Sequence, residues 1–201
     1  MNTVSTGRPG RPAAASREAV LDAAVARFLA CERIDVQGLA RELGLARATM
    51  HRWFGTREDL LGEAIGQLAV RRLNAHRRAV AGHGPEVLLR CFDSYNRELA
   101  ESPALSSFLA QEQERALRIL TSSGGLVQPR LVDAVRELID EEIRDGGLKP
   151  AVSADALAYA IVRLAESFLY NDAMFGIRGD TVRLREVEAA LLGCGPDGRG
   201  R

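Results

Sequence analysis

The chain has 201 residues, 46% hydrophobic and 27% charged, with as many basic as acidic side chains. That balance is typical of a globular protein with a sizeable core, built as one domain or as a small domain joined to a medium one. It excludes a bilayer-spanning chain: no apolar run is long enough, and "ALAYAIV" at 156–162 stops at Arg163.

The N-terminus has arginines and alanines but no continuous apolar stretch, and Glu18 and Asp22 arrive early. Neither a secretory signal nor a transit peptide fits, so a cytosolic location is expected. Cys31, Cys91 and Cys194 are far apart, odd in number and outside any C-x-x-C motif. Reduced core thiols are the expectation. Residues 1–57 carry nine arginines against five acidic residues, so the rest of the chain carries the compensating negative charge. A basic N-terminal piece on an acidic body points to an anionic partner met through that piece.

In chain order, residues 1–15 are expected to be a flexible basic arm containing "TGRPGRPAAA". Ser16 caps a predicted helix to about Cys31 that places Val20, Leu21, Ala24, Phe28 and Leu29 on one face. Asp35 caps a short helix, 36–43, which Gly44 ends. A third short helix spans about 47–53. Thr56 and Asp59 then form a capping box for a longer helix, 57 to about 81. After "GHGP" at 82–85, helices are expected near 86–101, 103–122, 128–145, 153–174 and 181–193. Strand periodicity is nearly absent. The fold class is all-α with about nine helices.

Two short helices joined by a glycine-containing turn, after a longer one, form the helix-turn-helix pattern, whose second short helix enters the DNA major groove. At about 100° per residue, Met50 and Phe54 of "RATMHRWF" point one way, while Arg47, Ala48, His51 and Arg52 share the opposite sector. Leu45, Met50 and Phe54 therefore pack on Leu39, Leu43 and Phe28. The arginines can pair bidentately with guanine, and Ala48 or the Thr49 methyl can touch a thymine methyl. Thr49 and His51 are alternatively phosphate contacts that fix register. Trp53, at the edge, can pack its ring and donate its indole N–H to a phosphate. Arg57 opens the next helix, where a phosphate is favoured.

"IDVQGLARELGLARATMHRWFGTREDLLGEAI" resembles the DNA-binding head of the TetR family of bacterial one-component regulators. The close match covers about residues 16–66; the remainder agrees in length, helix count and a C-terminal helix pair. The resemblance implies a helix-turn-helix domain at 16–56 and a ligand-binding and dimerisation domain at 57–201. It implies a homodimer that binds a near-palindromic operator on double-stranded DNA and releases it when a small-molecule effector enters. Carried over by position, Arg47, Ala48 and Arg52 meet bases, and Thr49, His51 and Arg57 meet phosphates. The family usually has tyrosine at the position of His51 and lysine at that of Arg57. It commonly has a glycine between the first two helices, which "ACERID" lacks.

"GRPGRP" at 7–12 resembles minor-groove arms, so Arg8 and Arg11 either add minor-groove affinity or belong to a disordered basic tail. In the body, Phe92, Tyr95 and Phe108, with Glu112 nearby, either line an effector pocket or pack as core. Tyr170, Asn171 and Asp172 in "ESFLYNDAMFG" either serve a ligand or lock a helix junction. That stretch also resembles a TetR branch associated with lactone-degradation genes, which implies a γ-lactone or medium-chain acyl effector. The stripe Leu157, Ile161, Leu164, Ala165 and Phe168, with Val187 and Leu191 on the last helix, suits a four-helix dimer interface or burial within the chain.

No G-x-S-x-G, P-loop, H-E-x-x-H or dinucleotide-binding turn occurs. His76 and His83 have no acid or cysteine at ligand spacing, so neither a catalytic residue, a metal nor a cofactor is expected. The alternative is a helical interaction or small-molecule-binding protein without operator binding, which leaves the basic head without a purpose.

Overall fold

The computed structural model describes residues 15–174 and 179–195, with the backbone alone at 171–174. The described residues form ten helices: α1 (Arg17–Leu29), α2 (Val36–Glu42), α3 (Arg47–Phe54), α4 (Arg57–Ala79), α5 (Pro85–Glu101), α6 (Pro103–Gln111), α7 (Gln113–Thr121), α8 (Gln128–Arg144), α9 (Ala154–Met174) and α10 (Thr181–Leu192). None is long and apolar enough to cross a membrane.

The starts are set by caps visible in the sequence. Ser16 accepts from the Ala19 N–H, and Asp35 from that of Gln37. Thr56 and Asp59 close the expected capping box. Ser102 caps α6 with Pro103 in its first turn.

One expected helix, 103–122, is two. Glu112 leaves the helical region at φ −135° and ψ 44°, separating α6 from α7. Its carboxylate accepts both terminal guanidinium N–H groups of Arg57, at 2.8 and 2.7 Å. A tertiary ion pair, with no local glycine or proline, marks this break.

The cysteine expectation holds for Cys91 and Cys194, which are buried, and fails for Cys31, which is exposed. Cys31 follows the C-cap of α1 at φ 59°, the only non-glycine with positive φ among the described residues. It occupies the left-handed position after the helix, where a glycine is usual.

The helices pack around α4, which contacts α1 and α3 on one side and α5, α7 and α8 on the other. Val20, Leu21 and Ala24 of α1, Leu39 of α2, and Met50 and Phe54 of α3 bury against Leu60, Leu61 and Ala64 of α4. Arg17 lies over the Phe54 ring, 4.8 Å from its centroid, and reaches Glu63 at 2.5 Å. At the other end of α4, Arg77 pairs at 2.8 Å with Glu142, which is fully buried. Glu142 also accepts the Gly84 N–H at the start of α5. One buried carboxylate thus joins α4, α5 and α8, and removing it leaves the half-buried Arg77 guanidinium without its counter-charge. Gly66 lets α4 approach the α7–α8 connection: a methyl group there would lie 2.6 Å from the Leu126 carbonyl oxygen.

Candidate DNA-binding and effector sites

Helix α3 is amphipathic in the expected sense. Met50 and Phe54 are buried, Arg47, Ala48, His51 and Arg52 are exposed, and Thr49 and Trp53 are intermediate. Trp53 packs edge-on to Phe54, which fixes its ring at the border of the outward face. The described arginines of the head, Arg33 apart, divide into two groups. Arg17, Arg27, Arg41 and Arg57 each pair with a carboxylate. Among the described residues Arg47 and Arg52 have no hydrogen-bond or ion-pair partner. Two free guanidiniums therefore project from a short helix that its apolar side holds in place.

Arg57 has a different place from the one expected. Its Nε donates to the Ile34 carbonyl at 2.9 Å, and its other nitrogens are taken by Glu112. The guanidinium is turned inward, tying the α1–α2 connection to the α6–α7 break, and is not free to meet a phosphate. Hydrogen bonds from Arg57, supported by Arg115, hold the Glu112 carboxyl down at about 2. Glu112 is accordingly a joint between head and body. Arg8 and Arg11 lie outside the described residues.

The body holds a partly open apolar cavity of about 200 Å³. Its walls include Phe28 and Leu29 of α1, Ile65 and Leu68 of α4, Leu99 of α5, Leu105 of α6, Leu131 of α8 and Tyr170 of α9. At its edge Arg72 donates to Glu98 at 2.5 Å, and His76 Nε2 lies 2.6 Å from the same carboxylate. Ser94 holds the other ring nitrogen of His76 at 2.9 Å. Burial pushes the Glu98 carboxyl up, but the hydrogen bonds from Arg72 and His76 prevail and keep it below the usual range.

A second space of about 30 Å³ lies deeper. Tyr95, Leu99, Leu131 and Tyr170 line both spaces. Phe92, Asn96, Glu166 and Glu188 belong to the inner one alone. Asn96 donates to Glu188 Oε1 at 3.0 Å, and Gln128 donates to both Glu166 oxygens at 3.0 Å.

The expected effector residues thus separate. Tyr95 and Tyr170 line the main cavity, and Phe92 only the inner space. Phe108 lines neither, because its ring stacks edge-on to Phe28 at 5.8 Å beside the Arg57–Glu112 joint. The side chains of Asn171 and Asp172 lie outside the described residues. Asn96, a polar group on the helix that bears Phe92 and Tyr95, lies at the inner space; Glu188 was missed, although it stands in the apolar phase Leu184–Glu188–Leu192. A polar residue interrupting such a stripe is the signal that was available.

The association stripe is corrected in part. Leu157 and Ile161 are 1% and 2% exposed and belong to the chain's own core, because that side of α9 packs on α8. Leu164, Ala165, Phe168 and Leu191 are intermediate, and Val187 is exposed. Tyr159 and Val182, at 50% and 61%, are the larger exposed apolar groups on α9 and α10.

Residues 83–193, over half the chain, match the family model described as "Tetracyclin repressor-like, C-terminal domain". No curated protein sequence matches. Among solved structures the chain is similar to the transcriptional repressor QsdR of R. erythropolis, from the TetR family. Identity is 26% over 89% of this chain and 95% of that one, with a TM-score of 0.81. It shares its fold with AlkX of Dietzia sp. strain DQ12-45-1b, a TetR family repressor implicated in n-alkane biodegradation. Identity there is 19% over 89% of this chain and 98% of that one, with a TM-score of 0.61. The fold also matches FadR of Bacillus halodurans, a fatty acid degradation regulator, at 21% identity over 87% and 93% of the chains and a TM-score of 0.53. With a family model matched over more than half of its length and a repressor of that family sharing its fold, the chain belongs to the TetR family of transcriptional regulators and is not an enzyme.

Proposed function

We propose that the chain is a repressor that binds a near-palindromic operator as a homodimer and lets go when a small, largely apolar effector occupies the body. The observation that carries the reading is the unpaired state of Arg47 and Arg52 on α3, in a head whose other described arginines, Arg33 apart, are engaged. Uncompensated guanidiniums on a fixed helix suit base edges, with Ala48 against a thymine methyl and Thr49, His51 and Trp53 on phosphates.

Dimerisation is supported by the exposed apolar groups. Four of the five large ones, Val152, Tyr159, Val182 and Val187, lie on α9, on α10 or just before α9. Pairing these helices with those of a second copy would cover them. Leu164, Phe168 and Leu191 would extend the same face, and half-sites about 34–36 Å apart would be read together.

The effector reading is supported by a cavity whose walls include Phe28 and Leu29 of the head's own first helix. An occupant there touches the head and the body at once. A γ-lactone or acyl compound fits an apolar space with a few polar groups at its edge.

The test is a mobility-shift titration at low salt with DNA from the protein's own gene neighbourhood. The wild-type chain should shift it. Arg47→Ala/Arg52→Ala should weaken binding at least about tenfold, since each bidentate base contact contributes about 1–3 kcal/mol. Absence of any shift, or equal binding by the double variant, overturns the reading.

A further inference from the structure

The inner space is polar where the surrounding core is not. Two buried polar atoms at its residues have no hydrogen-bond partner: the Tyr95 hydroxyl and Glu188 Oε2. Tyr95 is 6% exposed and Glu188 fully buried. A buried polar atom without a partner costs about 1–3 kcal/mol, and both of these line the same space, which is where a partner would be received. A space of about 30 Å³ admits one water-sized group.

The surroundings decide what kind of group. Asn96 already donates to the other oxygen of Glu188. Asp93, Glu98 and Glu166 are the neighbouring carboxyls, and each already has a basic partner. Arg185 pairs with Asp93 at 3.6 Å, Arg72 with Glu98 at 2.5 Å and Arg163 with Glu166 at 2.8 Å. Among the described residues these guanidiniums are therefore already paired, and none stands free beside the inner space to neutralise an anionic head group. Burial raises the Glu188 carboxyl to about 8, against the opposing effect of Asn96, so at neutral pH it carries its proton. Glu188 and Tyr95 then both present O–H donors.

We infer that the inner space is the head-group site of the effector, and that it takes an uncharged hydrogen-bond acceptor, such as a lactone or ester carbonyl, held by Tyr95 and Glu188. This rests on the effector reading above and narrows it. The apolar part of the molecule occupies the main cavity, which Tyr95, Leu99, Leu131 and Tyr170 divide from the inner space. A charged head group would be buried there without a counter-charge, which costs more than the two O–H donors return; a neutral acyl derivative meets no such cost.

Three probes of matched chain length separate the possibilities: γ-nonalactone, nonanoate and nonylamine, titrated calorimetrically into the full chain at pH 7. The lactone should bind at least about tenfold more tightly than either charged probe, a difference well outside calorimetric error. Tyr95→Phe and Glu188→Leu should each weaken lactone binding roughly three- to tenfold, the contribution of one hydrogen bond. Glu188→Gln keeps a donor and should stay within about threefold of wild type. Thermal unfolding of each variant, run alongside, verifies that it is folded.

Three results would overturn the inference: nonanoate at parity with the lactone, nonylamine as the tightest probe, or no loss in Tyr95→Phe. Binding of none of the three would do so as well. DNA binding by the free protein does not depend on the head group. A chain that shifts DNA but fails this titration therefore loses the ligand class and keeps the regulator reading.

Discussion

Cys31→Gly should stabilise the protein. Cys31 sits at φ 59°, directly after the C-cap of α1, and its N–H bonds to the Phe28 carbonyl. A side chain with a β-carbon in that left-handed region costs about 1–2 kcal/mol. The thiol is exposed and free, so its loss removes no core packing. Against the gain stands the greater freedom of glycine in the unfolded chain, about 0.4–1 kcal/mol. The net gain is about 0.5–1 kcal/mol, which in a chain of this size raises Tm by roughly 1–4 °C. The assay is urea unfolding at fixed protein concentration, with Cys31→Ala beside it. Alanine drops the thiol but keeps the β-carbon, so its midpoint should stay at the wild-type value. Equal midpoints for the glycine and alanine variants would show that the backbone at Cys31 is not strained.

Glu188 should make stability depend on pH. The unfolded carboxyl loses its proton near 4.5 while the folded one holds it to about 8, so stability falls as pH rises through that window and is level above it. The wild-type loss is of order 5 kcal/mol across the window, and the urea midpoint of Glu188→Gln should show a correspondingly flatter profile. Gly66→Ala should destabilise by about 1–2 kcal/mol despite the better helix propensity of alanine. Its methyl would meet the Leu126 carbonyl at 2.6 Å, whereas Gly62→Ala, whose methyl would meet Leu126 Cβ at 3.4 Å, should be neutral or stabilising in the same unfolding assay.

What could be read from the sequence was whatever local rules govern. Capping residues, Gly44 and apolar periodicity placed nearly every helix end within two residues. The opposed faces of α3 followed from wheel positions, because Met50 and Phe54 are four apart and the basic residues fill the other sector. Features set by distant partners were not readable. The α6–α7 break depends on Arg57, fifty-five positions before Glu112. Arg57 looked like a phosphate ligand because its position at a helix start is known from the sequence, while its carboxylate partner is not. Leu157 and Ile161 looked available for a dimer because a stripe shows that a side is apolar, not which neighbour covers it. Glu188 interrupts an apolar stripe, and only the space beside it and Asn96 shows what their polarity faces.

The buried Arg77–Glu142 pair has a mechanical consequence. It clamps one end of α4, while Arg57, twenty residues away, carries the head. At 1.5 Å per residue the clamp lies about 30 Å from the head end and about 13 Å from the middle of the cavity wall formed by Ile65 to Arg72. Turning about the clamp, α4 is a lever whose long arm is roughly twice its short one. An effector that moves the wall by about 1 Å then shifts the head by about 2 Å. The Arg57–Glu112 joint makes α6 and α7 travel with it. In the proposed dimer both levers would act on one spacing, so a small molecule in the body would detune a contact made far from where it binds.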